Sequence, residues 1–158
     1  MNKLPLLLRH LRTQVNEELE AQRRLLALLE TQQSAIAAAQ SPEIVAAGLA
    51  VEAELGSAGT RARHRDVLLE GFANLWGLEP GSLTFSSVIE RAGAEAEDLV
   101  SVRNDLRTIT SEVTRKARNI RTLASAHQRL TMEILEVLFA SESDGSVAAG
   151  GVLVDAEA

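Results

Sequence analysis

The chain has no cysteine and no tyrosine, and one tryptophan and three phenylalanines make up its whole aromatic content of 3%. Without cysteine there is no disulfide, no thiol nucleophile and no thiolate metal ligand, as suits a reducing compartment. So few aromatics argue against a β-sandwich or barrel, whose strands are filled by aromatic and β-branched side chains. No window approaches the roughly 20 apolar residues that span a bilayer, so no stable membrane insertion is expected. The opening "MNKLPLLLRHLR" is too short an apolar run for a signal peptide, with Arg9 and Arg12 close behind. A cytoplasmic protein is expected. An excess of positive charge is also missing: 22 acidic residues outnumber 16 basic ones, and the net charge is −6. Residues 141–158 hold Glu142, Asp144, Asp155 and Glu157 and no basic residue, which leaves −2 on the body. Such a body is a poor polyanion binder, so no nucleic acid is expected as a partner.

What remains is helix-forming. The 158 residues are 46% hydrophobic and 24% charged, and alanine, leucine, glutamate and arginine dominate. Leu4, Leu8, Leu11, Val15, Leu19, Leu25, Leu26 and Leu29 recur at steps of three and four, predicting a first helix over 4–39. "QSPE" breaks it, with Ser41 as a cap and Pro42 at the first position of the next helix. That second helix is expected over 42–76, with a kink or break near 56–60, where Gly56 and Gly59 fall. "WGLEPGS" is a connector: Gly77 ends a helix and Pro80-Gly81 makes a turn. Thr84 caps a short helix through Arg91, with Val88 and Ile89 facing inward. A long helix without proline or glycine follows over 94–140, about 70 Å at 1.5 Å per residue. The expected fold is all-α, an elongated antiparallel helical bundle or coiled-coil-like hairpin with a long C-terminal helix. A single helical domain is expected over 1–140 and a flexible acidic tail over 141–158.

The long helix carries the strongest periodic signal. Alternate steps of three and four give Leu99, Val102, Leu106, Ile109, Val113, Lys116, Ile120, Leu123, His127, Leu130, Ile134 and Val137. Only Lys116 and His127 interrupt the line, and a 3.5-residue spacing means a coiled-coil-like seam. Near its end the helix turns apolar on a second face: Met132, Leu135 and Phe139 point away from Leu130, Ile134 and Val137, and Leu138 borders the seam. A helix apolar nearly all round has to be covered on more than one side. Either the chain's other helices cover both faces, or one face is a groove for a partner helix.

Catalytic signatures are missing. His10, His64 and His127 do not form an HExxH pattern, and there is no GxSxG, no SxxK and no glycine-rich loop between a strand and a helix. An enzyme, a metal and a cofactor are therefore not expected. Arg115, Lys116, Arg118 and Arg121 form a basic run without interleaved aromatics, which suits a solvated face or an acidic partner better than nucleic acid.

The order of these features resembles the FlgN-type flagellar export chaperones. The resemblance rests on "LEAQRRLLALLE" in the first helix, "LWGLEPGSLTFSSVI" at the connector, "RNIRTLASAHQRLTMEILEVLF" in the long helix and the ending "GGVLVDAEA". It covers nearly the whole chain through the combination of motifs rather than any one of them. Asn119 fits the second of two asparagines often found three residues apart in that family, and Lys116 stands where the first would be. The family often carries a C-terminal tyrosine linked to docking on the export gate; this chain has none, so docking is expected to use other groups. The resemblance implies a cytoplasmic, non-enzymatic chaperone. Its clients would be hook-associated (hook–filament junction) proteins, bound by their C-terminal segments and delivered to the flagellar type III export apparatus. From the pattern, Ile120, Leu123, His127, Leu130, Ile134, Val137 and Leu138 are the expected client-binding residues, with Asn119 among them and Arg118 and Arg121 as rim contacts. A self-associating structural coiled coil without a client is the alternative, and a helical protein meeting nucleic acid through its arginines is a more distant third.

Overall fold

The first helix, α1, runs over Leu4–Ala37 because its apolar residues keep a helical period and Pro5 sits in its first turn, where no backbone N–H is needed. In the computed structural model, which describes residues 3–147 and side chains as far as Ala140, every further element is also helical. These are α2 (Ser41–Gly56), α3 (Ala58–Trp76), α4 (Phe85–Ala92), a 3-10 turn (Gly93–Ala96) and α5 (Asp98–Val147). The chain is all-α, with a long C-terminal helix and no strand among the described residues.

One expected boundary is sharpened and two differ from the sequence expectation. The break expected near 56–60 is complete: the second expected helix is two, α2 and α3, parted at Ser57. Arg61 fastens this junction: its guanidinium donates to Ser57 Oγ at 2.7 Å and to Glu18 Oε2 at 3.0 Å, and lies 3.5 Å from Glu54 Oε1. The long helix starts at Asp98 rather than at 94. Gly93, at φ 58° and ψ −127°, holds a backbone shape closed to other residues and stops α4. Arg12 then grips the new helix start, pairing with the Asp98 carboxylate and donating to Glu95 O at 2.9 Å. The Arg12 hydrogen bond holds the Asp98 carboxyl below its usual range. Its stabilising effect is therefore present at neutral pH and fades as pH falls through that lowered value. At its far end α5 runs on to Val147, past the 140 at which the long helix is expected to end, and residues 148–158 of the expected tail lie outside the described residues.

The connector and short helix form as their residues dictate. Gly77 at φ 65° ends α3, and Leu78 N–H donates back to Ala73 O at 2.9 Å. Gly81 at φ 81° follows Pro80 in a turn closed by Ser82 N–H to Glu79 O at 3.2 Å. Thr84 Oγ1 accepts from Ser87 N–H at 3.1 Å, and Thr84 N–H donates to Ser87 Oγ at 2.8 Å, a reciprocal cap on α4.

Packing divides the chain into two units, one up to Ile120 and one from Arg121 onward. The first holds the core: Leu8, Leu11 and Val15 of α1 meet Phe72 and Ala73 of α3, Val88 and Ile89 of α4, and Ala96 and Leu99. Phe72 packs its ring 5.3 Å from Trp76, over which Arg91 lies at 5.5 Å. Gln14, buried on α1, donates to Arg61 O at 3.0 Å, so its amide is not left unpaired.

Candidate functional site

Within the first unit the chain itself covers the α5 seam wholly or in part. Leu99 and Ile120 are buried, and Val102, Leu106, Ile109 and Val113 are half-buried. Lys116 keeps its seam position by reaching α1, where its Nζ donates to Gln33 Oε1 at 3.0 Å and stands 3.9 Å from Glu30 Oε1. Ile120 thus belongs to the protein's own packing and offers no open surface, unlike the role expected of it. Asn119 and Arg118 are exposed on the same helix. This unit also holds a recess of about 340 Å³, lined by the apolar Leu11, Val15, Leu69, Leu83, Phe85 and Leu106 and by Gln14, Glu18, Arg65 and Thr84. It has room for an apolar side chain with a few polar groups beside it.

The second unit is different. Arg121 is exposed, Leu123 and His127 are half-buried, and every residue from Gln128 to Ala140 is exposed. Leu130, Met132, Ile134, Leu135, Val137, Leu138 and Phe139 leave between 40% and 69% of their surface open. They are seven of the thirteen large apolar residues exposed among the described residues, gathered in ten positions. At about 100° per residue they spread over about 220° of the helix circumference, twice the stripe that one neighbour covers. Two lines stand out. Leu130, Ile134 and Val137 form one, with Leu138 at its edge; Met132, Leu135 and Phe139 form the other. Arg129, Glu133 and Glu136 take the rest of the circumference. This part of α5 has apolar surface to bury and charges to orient what buries it; catalytic groups do not converge there. Among the described residues no three histidine, aspartate or glutamate side chains are grouped to hold a metal ion.

Of the residues singled out in the sequence, Leu130, Ile134, Val137 and Leu138 come together as open surface on α5. Leu123 and His127 are partly covered, and Ile120 is covered. Sequence reading passed over Val45 and Leu49, one turn apart on α2 and both more than half exposed. The signal there is faint, because α2 is apolar nearly all round and no polar stripe marks its outer side.

The sequence profile described as FlgN protein matches residues 1–147, from the start of the chain to the last residue of α5. The chain belongs to the FlgN family. No curated protein and no solved structure matches it. FlgN proteins are chaperones of flagellum assembly, non-enzymatic as a family, and they bind flagellar proteins. As a FlgN protein the chain has an export-chaperone role in general terms, and α5 with its open apolar lines falls inside the matched residues. Among the described residues no helix is long and apolar enough to cross a membrane.

Proposed function

We propose that this FlgN protein holds the C-terminal segments of hook-associated junction proteins on the line formed by Leu130, Ile134, Val137 and Leu138. It prevents their aggregation in the cytoplasm and hands them to the flagellar type III export apparatus. The observation that carries this reading is the run of open apolar side chains on α5 in a family of flagellar chaperones. An amphipathic client helix would lay its apolar face along that line. Leu123 and His127, half-covered, would meet one end of it, and Asn119, Arg118 and Arg121 would make polar contacts at the rim.

Magnitudes favour a reversible grip. Burying a leucine, isoleucine or valine completely contributes about 1.5–3 kcal/mol, and these side chains are already near half-covered, so each adds about 1 kcal/mol. Ordering a disordered client segment costs about 2–5 kcal/mol, which these four side chains roughly offset, so the net grip comes from the client's own buried apolar residues and stays weak enough to be undone at the export gate.

The test is co-expression with C-terminal segments of hook–filament junction proteins followed by pull-down. Wild type should retain a segment. Leu130→Asp and Ile134→Asp should each abolish retention, because an aspartate there has to be desolvated against the client. Both positions are exposed, so circular dichroism should show full helicity in either variant. Folded variants that still retain the segment would mean that the client binds elsewhere.

A further inference from the structure

The line Met132, Leu135 and Phe139 is left without a role by that reading, since it lies on the other side of α5 from the line assigned to the client. Continued back by alternate steps of four and three, it takes in Gln128 and Ser125, also exposed. This is the spacing of a second coiled-coil seam on the same helix. Arg129 and Glu136, seven residues apart and both exposed, stand along one edge of it. Thr131 and Leu138 flank the other edge, so no like charges are set there.

We propose that this face pairs with a second copy of the chain, the two α5 helices running antiparallel. The charge pattern selects this occupant. When Met132 faces the partner's Leu135, two-fold symmetry sets Leu135 against the partner's Met132, and Phe139 packs along the stem of the partner's Gln128. In that one register the flanking positions meet as opposite charges: Arg129 lies beside the partner's Glu136, and Glu136 beside the partner's Arg129. A parallel pair in register would keep Arg129 and the partner's Glu136 about 10 Å apart along the axis. The contact is only a few layers long and falls below the roughly 1,200–2,000 Å² of a stable interface, so the dimer is weak. Leu130, Ile134 and Val137 remain open on both copies, while Leu138, on the border of both faces, lies beside the partner's Thr131. The pairing goes beyond the client reading and does not depend on it.

Sedimentation of the full chain between about 10 μM and 1 mM tests it. Wild type should pass from monomer to dimer over that range. Arg129→Glu and Glu136→Arg each turn two attractive pairs into two repulsive ones. Each should weaken dimerisation at least about tenfold at low salt, where exposed charges are least screened. The double variant R129E/E136R restores the pattern with signs exchanged and should return to within about threefold of wild type. Ile134→Asp, on the opposite line, should leave the dimer intact while losing the client, and R129E should keep the client. A wild type that stays monomeric at 1 mM, single reversals without effect, a double variant that stays monomeric, or a dimer lost in I134D would each overturn the pairing. A loss of client in R129E would show that the two lines are not separate surfaces.

Discussion

Ala39 turns the chain between α1 and α2 with φ at 54°, the one non-glycine residue at positive φ among those described. Its N–H donates to Ile36 O at 3.0 Å, and the next N–H, of Gln40, donates to Ala35 O at 3.1 Å. This is a Schellman ending, in which glycine is the usual occupant because a Cβ is crowded in the left-handed region. Ala39→Gly should relieve that crowding by about 1 kcal/mol, part of it lost to the freer unfolded chain. The expected net result is a melting temperature raised by about 1–3 °C, read by differential scanning calorimetry. A lower melting temperature would show that the alanine is not strained there. "QSPE" marked this break correctly in the sequence, but not its capping. Gln40 rather than Ser41 is the residue before α2, with its carbonyl accepting from Ile44 N–H at 2.9 Å and no side-chain cap. The Schellman ending of α1 fixes Gln40 first, and Ser41 is already helical when its turn comes.

Among the elements, α5 is the most legible, because an apolar residue every three or four positions leaves a trace that no helix hides. Leu99, Val102, Leu106, Ile109, Val113 and Ile120 are each covered or half-covered, as the spacing implies. Two things left no such trace. The start at Asp98 depends on Arg12, and the place of Lys116 depends on Gln33, contacts between residues far apart in sequence and of ordinary surface types. A lysine at a seam position holds register at some expense of stability. Lys116→Leu should therefore hold or raise stability by up to about 1 kcal/mol, trading one hydrogen bond for apolar burial. Lys116→Ala, which loses the bond and leaves a gap, should lower it by about 0.5–1.5 kcal/mol. Urea unfolding midpoints at constant slope distinguish the two. A leucine variant less stable than the alanine one would show that the bonds to Gln33 and Glu30 outweigh packing at that position.

Across the whole chain, every buried apolar residue among those described lies at or before Ile120, yet the open apolar lines lie after it. The length of the chain suits the single domain expected over 1–140, and the seam spacing carries on through Leu123, Leu130, Ile134 and Val137 with His127 as its one polar step. Periodicity reports that a face is apolar; it does not report what covers it, and that second fact depends on where the other helices end. The division has a direct consequence. A chain of residues 1–122 keeps the core built on Leu8, Leu11, Phe72, Val88 and Leu99, and it keeps Asn119, Arg118 and Arg121. It should melt cooperatively within about 5 °C of the full chain, since little buried surface is removed. It should also retain no junction-protein segment in pull-down, because polar rim contacts alone are too weak to hold one. Retention by the short chain would move the client site into the first unit, where the recess beside Leu69 and Phe85 is the surface to test next. A chain that no longer melts cooperatively would show that the first unit draws stability from residues beyond 122, despite its closed core.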